Sequence, residues 1–505
     1  MADHNEYGNE RGNGRGNDVQ VNQSVMVIGA GIAGMQSALL LAETGYRVVL
    51  LDQAPGIGGS MHLLDLTFPT DSCGLCLMLP GRAAYCPTIE CDLHANIEIL
   101  PYAEVVGVRG EPGDLTVTVR RKPRYVHVDR CTNCGRCAEV CPVERPDRYE
   151  GALKMGKAIY RPPTRAIPPA YVIDMDVCTR CGKCVAVCPT EAIDLEMAEE
   201  TVEFPVGALL LSPGFEPFDA RRKGEFGFGR YDNVVTSIQF DRMLSISGST
   251  GATVLRPSDH TRPRRLAFIQ CVGSRDETVG CGYCSSVCCM YTAKQVAVAK
   301  KLHPNLEITV FYMDIRAYGK DFDTYFDQVA ALPGVTYRRA MVSAIHQYQQ
   351  TRDLALQFVA EDGSLREEDF DMVVLAVGFV PPVGFRQLGQ ALDLPLNTYG
   401  FCVTDTFSPQ ESGSPGVLVG GAFREPKDIP ETVVEASAAA AEAARLLGPV
   451  KRPLPGVDAH AVPPTGDLEA WPRVGVFLCD CRGEIGEAVD LEALAMYAGG
   501  LRDVV

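Results

Sequence analysis

The sequence predicts an α/β protein made of two Rossmann units, with a small α+β domain inserted into the first of them. Two observations lead to this prediction. A glycine-rich turn joins a short apolar strand to a helix at residues 24–44, and a second strand–helix–strand pattern begins at residue 265. Between the two, residues 131–189 hold two cysteine runs that each end in proline. Those runs have the spacing of iron–sulfur ligands, so they predict a small cluster-binding domain.

Composition and charge limit the class of protein. The 505 residues are 46% hydrophobic and 22% charged, which is typical of a globular protein. Residues 1–22 are rich in Gly, Asn and charge and are predicted to be disordered. The net charge of −17 argues against nucleic acid as a partner, because its phosphates would be repelled. The sequence has neither an apolar run long enough to span a membrane nor a signal peptide, so we expect a cytoplasmic protein without a transmembrane segment.

The first Rossmann unit starts with the apolar strand 24–28, and a helical pattern then runs to about Thr44. The turn between them reads G-x-G-x-x-G, and the next strand, 47–51, ends at an acidic residue. This combination is typical of a dinucleotide site, in which the helix N-terminus binds the pyrophosphate and the acid accepts the ribose hydroxyls. The alternative is a glycine turn without a ligand. The predicted binding residues are Gly29, Gly31, Ile32, Ala33, Gly34 and Asp52.

Further segments favour FAD as the dinucleotide. Residues 54–61 resemble the Gly-Gly segment that follows the acid in two-dinucleotide-binding flavoproteins of the thioredoxin-reductase type. Residues 206–214 and 372–378 resemble the hinge strands of such enzymes. At 417–421 those enzymes usually carry Gly-Asp against the ribityl chain, whereas here a glycine replaces the acid. The further residues predicted to contact FAD are Gly58, Gly59, Ser60, Met61, Gly214, Gly378, Gly420 and Gly421.

The two cysteine runs of the inserted domain have the form C-x2-C-x2-C-x3-C-P. In a two-cluster ferredoxin, the first three cysteines of one run bind one cluster and the fourth binds the other. Structural zinc is the alternative, but zinc sites use pairs of ligands rather than runs of four with a trailing proline. The spacing therefore assigns one 4Fe–4S cluster to Cys131, Cys134, Cys137 and Cys188, and the other to Cys178, Cys181, Cys184 and Cys141.

The insert interrupts the flavin domain, so we expect its clusters to lie near the flavin. The basic run 120–124 leads into it. We expect this run to be a solvated hinge, with a docking patch as the alternative.

The second Rossmann unit lacks a glycine motif. Its strand 265–270, its helix at about 285–301 and its next strand 306–312 are all present. The loop after the first strand carries cysteines instead, and thiolates there would repel a pyrophosphate. We expect a third cluster in place of a nicotinamide nucleotide, with buried free thiols as the alternative. The predicted ligands are Cys271, Cys284, Cys288 and Cys289, while Cys281 has no assigned role.

The same loop resembles a known family, that of the heterodisulfide reductase A-subunits. The resemblance extends over about residues 24–450, and its signature segments are 67–76, 271–276, 283–295, 314–320 and 426–431. It implies a FAD and iron–sulfur electron-transfer component of a multi-subunit complex, in which flavin-based electron bifurcation is one form of the activity. It also implies heterodisulfide-reductase-like B and C subunits as partners. The electron-input module would be a hydrogenase, a formate dehydrogenase or ferredoxin.

Two lysines lie in the family-like segments. Lys294 and Lys427 are expected to act catalytically by tuning the electronics of flavin N1 or N5, with solvated lysines near a loop as the alternative. Ile429, in the segment 426–431, is expected to contact FAD.

A fourth cysteine group follows the FAD segment with the spacing C-x2-C-x9-C-x4-C. It predicts a further 4Fe–4S cluster, with zinc or a mixture of buried and redox-active thiols as alternatives. Near the C-terminus, a segment after a proline-rich stretch resembles the start of another domain of the family, and we expect either that the chain is truncated there or that another polypeptide supplies the rest of the domain. Its two cysteines would be ligands of an incomplete cluster site. The cysteines concerned are Cys73, Cys76, Cys86 and Cys91 in the fourth group, and Cys479 and Cys481 near the C-terminus.

These motifs predict domain boundaries. The FAD domain comprises 23–121, 201–262 and 381–448, and the remaining segments are the disordered N-terminus 1–22, the ferredoxin-like insert 122–200, the second Rossmann-like domain 263–380, the linker 449–472 and the start of a further domain at 473–505.

The leading functional prediction is an oxidoreductase subunit that relays electrons between an input module and cluster-bearing partners. A stand-alone NAD(P)H-dependent ferredoxin or disulfide reductase is the main alternative, and a non-catalytic scaffold is another. We expect a hetero-oligomer that is dimeric about this subunit. The electron donor and the terminal acceptor are not encoded in these motifs.

Overall fold

The computed structural model describes residues 21–64, 66–68, 86–163, 166–382, 384–450, 476, 478 and 489–501. The chain divides into two compact units, residues 1–454 and 455–505. The first unit contains both Rossmann sheets and the inserted domain, and all of the sites below belong to it.

The strands in the described part of the chain fall into several sheets and are numbered here in chain order. They are β1 (Ser24–Ile28), β2 (Arg47–Asp52), β3 (Ile97–Pro101), β4 (Ala103–Glu111), β5 (Asp114–Arg121), β6 (Glu144–Pro146), β7 (Met155–Lys157), β8 (Ile159–Tyr160), β9 (Val172–Ile173), β10 (Glu200–Val206), β11 (Ala208–Leu211), β12 (Glu216–Pro217), β13 (Val234–Thr236), β14 (Arg265–Val272), β15 (Glu307–Tyr312), β16 (Val335–Arg339), β17 (Met341–Gln347), β18 (Leu354–Val359), β19 (Leu365–Phe370), β20 (Met372–Val377), β21 (Phe379–Val380) and β22 (Val417–Val419).

The α-helices of the same described ranges are also numbered in chain order. They are α1 (Ile32–Glu43), α2 (Pro87–Leu93), α3 (Arg136–Glu139), α4 (Lys183–Val187), α5 (Ser237–Leu244), α6 (Cys288–Leu302), α7 (Phe322–Ala330), α8 (Phe385–Ala391), α9 (Ile429–Leu447) and α10 (Leu491–Gly499).

The first Rossmann sheet is parallel, with the strand order β22-β11-β1-β2-β3. Its central strand β1 is almost wholly apolar and buried, as expected for a strand covered on both faces. Helix α1 packs against α9 on one face, where the Ser37 hydroxyl donates to the carbonyl oxygen of Ala436 at 2.9 Å. The predicted strands 24–28 and 47–51 and the helix between them are therefore confirmed, with β2 ending at Asp52.

The two ends of the inserted domain are connected to the flavin domain through two adjacent strands. Strand β5 precedes the insert and β10 follows it, and the two pair antiparallel with Arg121 opposite Glu200. A hairpin whose ends are adjacent accommodates a long insertion without disturbing its sheet, because the insertion starts and finishes at the same edge. The antiparallel strands β4, β5 and β10 are not predicted by the sequence motifs, since there is no glycine motif or cysteine run there.

The second Rossmann sheet is also parallel, with the order β13-β20-β14-β15-β16. Strand β13 pairs with β20, so Val234–Thr236 belongs to this sheet rather than to the flavin domain. The predicted segment 201–262 therefore needs correction, because it divides between the two sheets after β11. Helix α5 begins directly after β13, where Thr236 and Gln239 form a reciprocal capping box. An antiparallel sheet of β17, β18 and β19 also falls inside 263–380.

The described residues of the second unit include helix α10, whose first turn is capped by Asp490. Its carboxylate accepts a hydrogen bond from the backbone N–H of Ala493 at 2.9 Å. Within the described ranges, no helix combines the length and the apolar character that crossing a membrane requires.

Candidate cofactor-binding sites

A large cavity lies where the two Rossmann sheets meet. Its volume is about 380 Å³, within the range of small-molecule pockets. The first Rossmann unit contributes the turn after β1 and the start of α1, and the second contributes Met290, Tyr291 and Lys294 from α6. The carboxyl ends of the strands in both sheets therefore face one shared space, which is where α/β folds usually bind ligands.

The glycines after β1 allow the backbone to come close to this cavity. Gly29 has φ of +99°, and a Cβ there would lie 2.1 Å from the carbonyl oxygen of Ser212. A Cβ on Gly34 would lie 1.8 Å from the carbonyl oxygen of Gly29, so α1 can approach β1 only with glycine at that position. Gly31 caps α1 without a side-chain hydrogen bond, so the first N–H groups of this helix are not occupied by a cap. That arrangement suits a bound pyrophosphate.

Asp52 lies at the same end of the cavity and orders the turn. Its carboxylate accepts the N–H groups of Ala30 and Ala54, each at 2.7 Å. Burial raises the pKa of this carboxyl, and the two backbone hydrogen bonds oppose the rise. Each oxygen has a second lone pair, so the carboxylate can still accept a ribose hydroxyl.

Both predicted lysines are buried in the cavity wall, and this excludes the alternative that they are solvated. Lys294 Nζ lies 2.6 Å from Oδ2 of Asp241, which the side-chain amide of Gln295 also reaches at 2.9 Å. Lys427 Nζ lies 2.5 Å from Oε1 of Glu435. Burial of a cation is costly unless it is paired, so each lysine is held by a carboxylate in one position.

Most of the residues that the sequence predicts for FAD line this cavity. The lining includes the two lysines and Gly29, Gly31, Ile32, Ala33, Asp52, Gly59, Ser60, Met61, Gly214, Gly420 and Ile429.

Four predicted FAD contacts do not line the cavity but lie behind its wall. Gly34 packs α1 against β1, and Gly58 faces His62. A Cβ on Gly378 would lie 2.5 Å from the hydroxyl of Ser285, while its neighbours Val377 and Phe379 do line the cavity. The N–H of Gly421 donates to Glu435 at 3.1 Å. These residues would act by shaping the wall rather than by contacting a ligand.

Several cavity residues are missed by the sequence reasoning. Asp241 lies on α5, and its only sequence signal is the capping box at 236–239 that begins this helix. The rings of Phe215 and Phe379 stack with centroids 3.5 Å apart, across a contact between distant chain segments. Both rings line the cavity. Local sequence patterns do not reveal such a pair.

The inserted domain brings its cysteines together in two crossed sets. One small cavity is lined by three cysteines of the first run and one of the second, and another is lined by the reverse combination. These are the groupings that the sequence predicts, and they suit two clusters that exchange their fourth ligands. Their role as cluster ligands stays a prediction. The sets are Cys131, Cys134, Cys137 and Cys188, and Cys141, Cys178, Cys181 and Cys184.

A third cysteine set lies at the end of β14 and the start of α6. The sulfurs of Cys271, Cys284, Cys288 and Cys289 interact electrostatically with one another. Burial is the main reason that the pKa of Cys271 rises to about 11, and the neighbouring thiols add to it. These cysteines occupy the place where a Rossmann unit otherwise binds a pyrophosphate. Within the described residues, no three or more His, Cys, Asp or Glu side chains are arranged to hold a single metal ion.

Tyr291 joins this third set to the large cavity. Its hydroxyl donates to the carbonyl oxygen of Val377 at 2.8 Å and accepts from the Ser237 hydroxyl at 3.2 Å. It also interacts with the sulfur of Cys288, and burial raises the pKa of both groups. Tyr291 lines the cavity, so a single side chain separates the cavity from a predicted ligand.

The other cysteines are separate from this set. Cys281 is buried, interacts with Tyr283 and Arg222 and lines a different cavity of about 360 Å³. In the fourth predicted group, Cys91 is buried in the core of the first unit and its pKa is raised by burial. Cys86 lies 3.2 Å from the hydroxyl of Thr88. Cys73, Cys76, Cys479 and Cys481 lie outside the described residues, so a fourth cluster stays a prediction.

The prediction that the basic run 120–124 is a solvated hinge is wrong for its last residue, Arg124. Arg120 is partly exposed, but Arg124 is only 6% exposed. Its guanidinium donates to the carbonyl oxygens of Pro55, Ala170 and Tyr171 at 2.5, 2.6 and 2.8 Å. A run of basic residues suggests exposure, but it does not reveal that the last of them enters the contact between two domains.

Comparison with family models gives two matches, both within residues 1–454. Residues 130–192 match a model described as a 4Fe–4S dicluster domain. Residues 27–70 match a model described as an NAD(P)-binding Rossmann-like domain. The first match covers both cysteine runs, and the second covers the glycine turn and Asp52.

Curated relatives match most of the chain. The CoB–CoM heterodisulfide reductase iron–sulfur A-subunit 2 of Methanopyrus kandleri is 42% identical over 434 residues, 85% of this chain and 65% of the relative. The A-subunit of the H2:CoB–CoM heterodisulfide,ferredoxin reductase of Methanothermobacter thermautotrophicus is 40% identical over 84% of this chain and 64% of the relative. Among solved structures, the thioredoxin reductase of T. acidophilum is similar with a TM-score of 0.44 and 14% identity, over 83% of this chain and 98% of that one.

The chain thus spans slightly less than two thirds of the length of these two curated relatives. The match extends over 84% or more of the chain. The chain belongs to the family of heterodisulfide reductase iron–sulfur A-subunits.

Proposed function

We propose that this chain is a FAD- and cluster-binding electron-transfer subunit of a heterodisulfide-reductase-like complex. The observation that carries the proposal is the position of helix α6. Its first two residues, Cys288 and Cys289, belong to the third cysteine set, and within the next two turns Tyr291 and Lys294 line the large cavity. A flavin in the cavity and a cluster at the cysteines would therefore be adjacent, because the same helix contributes residues to both sites.

FAD fits the large cavity better than a nicotinamide nucleotide does. A pyrophosphate at the start of α1 would place the rest of the ligand toward apolar residues of the second Rossmann unit, such as Met290 and Phe379. Bound FAD exchanges electron pairs with one partner and single electrons with another, and 4Fe–4S clusters carry single electrons. The match of residues 27–70 to a model named for NAD(P) reflects the Rossmann turn, which the two dinucleotides share.

The residues around the cavity hold charge in fixed positions. Lys294 pairs with the buried carboxylate of Asp241 and Lys427 with the half-buried carboxylate of Glu435, so both ammonium groups are held at the cavity wall. Fixed cations next to a flavin favour the form that carries more negative charge. The stacked rings of Phe215 and Phe379 add an apolar surface to the cavity wall.

The second Rossmann unit is proposed to hold a cluster instead of a nucleotide. The four thiols of the third cysteine set lie between the end of β14 and the start of α6, where deprotonated ligands would repel phosphate. The partial positive charge at the start of α6 would stabilise their thiolates once a cluster binds. This arrangement disfavours a stand-alone NAD(P)H-dependent reductase.

The partners are proposed from the family. The two relatives are named as A-subunits of larger enzymes, which supports a multi-subunit complex. We propose heterodisulfide-reductase-like B and C subunits and an input module that is a hydrogenase, a formate dehydrogenase or ferredoxin, with electron bifurcation at the flavin. Because thiolate clusters persist in reducing compartments, we also propose a cytoplasmic location.

Anaerobic spectroscopy of the flavin- and cluster-loaded chain tests the proposed function. Reduced ferredoxin is expected to bleach the flavin band, whereas NADH and NADPH are expected to leave it unchanged within the time of mixing. Rapid bleaching by either nucleotide would overturn the proposal in favour of a stand-alone NAD(P)H-dependent reductase.

A further inference from the structure

Arg124 is a buried cation without a carboxylate partner. Its guanidinium donates only to backbone carbonyl oxygens, and within the described residues no carboxylate lies within salt-bridge distance of it. Burying a charge is costly unless another charge compensates it. Burial lowers the pKa of this guanidinium to about 10, so Arg124 is still charged at neutral pH.

The position of Arg124 identifies the compensating group. Tyr171, whose carbonyl oxygen it contacts at 2.8 Å, lines the small cavity of Cys131, Cys134, Cys137 and Cys188. Arg124 interacts electrostatically with Cys131. On its other side it reaches Pro55, in the segment between Asp52 and the cavity-lining Gly59. A cluster with four thiolates is an anion, so it would supply the missing negative charge.

The second cluster cavity has no such buried cation among the described residues. Arg124 precedes Cys131 by seven residues, and the corresponding residue before Cys178 is the uncharged Tyr171. The cavity of Cys141, Cys178, Cys181 and Cys184 does include Arg180, but that side chain is 53% exposed and pairs with Glu196. The first cavity has an exposed arginine of its own, Arg136. Arg145, which is buried, is paired with Asp174 at 3.6 Å. The unpaired buried charge therefore distinguishes the two cavities.

We propose that Arg124 is the counter-charge of the cluster held by Cys131, Cys134, Cys137 and Cys188, and that it makes this cluster easier to reduce than its neighbour. It acts as a positioning residue as well, because the same guanidinium ties the wall of the cluster cavity to the flavin domain. The inference rests on the proposed function, since it requires that the two cysteine sets hold clusters. If the inference is right, an electron that enters the insert resides preferentially on the cluster next to Arg124.

The test is an EPR-monitored redox titration of the loaded full-length chain and of three variants. Arg124→Gln removes the charge, and we expect the equilibrium constant for reduction of one cluster to fall about tenfold, which is about 59 mV for one electron. Arg124→Lys keeps the charge but loses the forked contacts, and we expect its potentials to match the wild type. Arg109→Gln removes an exposed charge that pairs with Glu203 outside both cluster cavities, and as the control it should leave all potentials unchanged.

The results of the titration distinguish failure of this inference from failure of the proposed function. An unchanged set of potentials in Arg124→Gln overturns the inference, as does an equal shift or loss of the cluster in Arg124→Gln and Arg124→Lys, because the charge would then not be the cause. If Arg124→Gln fails to retain its cluster, retention with unshifted potentials in Arg124→Lys still supports the inference. A wild-type chain that binds no cluster in the insert would instead contradict the proposed function.

Discussion

The ammonium group of Lys294 lies 2.6 Å from the carboxylate of Asp241, and both side chains are at most 5% exposed. The two residues are on neighbouring helices, α5 and α6, and both line the large cavity. The pair therefore fixes a positive charge at the cavity and also joins the two helices.

Removal of this lysine should be strongly destabilising. Lys294→Met leaves the Asp241 carboxylate buried beside only the amide of Gln295, and such a change typically costs about 3–5 kcal/mol. The measurement is the midpoint of thermal unfolding. The double variant Lys294→Met with Asp241→Asn should recover most of the loss. Arg109→Gln, which breaks an exposed ion pair with Glu203, is the control and should change the midpoint little.

The glycine at position 34 should be irreplaceable. Gly34→Ala would place a methyl group 1.8 Å from the carbonyl oxygen of Gly29, so α1 would have to move away from β1. We expect a loss of about 3 kcal/mol or more in the free energy of unfolding, together with loss of the bound flavin. A Cβ added at the exposed Gly224 would have no atom within 4 Å, and Gly224→Ala should retain both properties. A Gly34→Ala protein with normal flavin content would contradict the close packing of α1.

Asp52 should support flavin binding more through its hydrogen bonds to the backbone than through its charge. Asp52→Ala leaves the N–H groups of Ala30 and Ala54 without an acceptor, at about 1–3 kcal/mol for each. Asp52→Asn keeps one side-chain oxygen and should lose less. The measurement is the flavin-to-protein ratio after gel filtration, with the expected order wild type, Asn, Ala. Equal flavin content in Asn and Ala would mean that the carboxylate charge is what matters.

Substitution of Cys288 and substitution of Cys281 should have different effects on the iron content. Cys288→Ser should remove about four irons per chain, because one of four ligands of a 4Fe–4S cluster is lost. Cys281→Ser should retain the full iron content, since this thiol interacts with Tyr283 and Arg222 and not with the set. Iron and acid-labile sulfide are the quantities to measure. Equal iron loss in both variants would refute the assignment of Cys281 as a non-ligand.

Local sequence patterns predict the parts of the site that depend on short spacing. The glycine turn with Asp52 is contained within one βαβ unit, and the crossing of Cys188 and Cys141 between the two sets follows from a repeated spacing. Patterns of this kind fix geometry because few residues lie between the groups concerned.

Contacts between distant segments are not predictable in the same way. Asp241 meets Lys294 only because β13 joins the second sheet, whereas the sequence motifs assign that strand to the flavin domain. The basic run predicts a solvated Arg124, yet the packing of the insert against Pro55 buries it. The burial of a charged residue is decided by which segments pack over it, and that is tertiary information.

Quantification of iron, acid-labile sulfide and flavin in the anaerobically purified chain tests the central claim most directly. A cluster in the second Rossmann unit, in addition to two in the insert, predicts about one FAD and about 12 irons per chain, or about 16 irons if the fourth cysteine group also holds a cluster, with a matching amount of sulfide. About eight irons with one FAD would contradict the claim, because the cysteines at the start of α6 would then be free thiols.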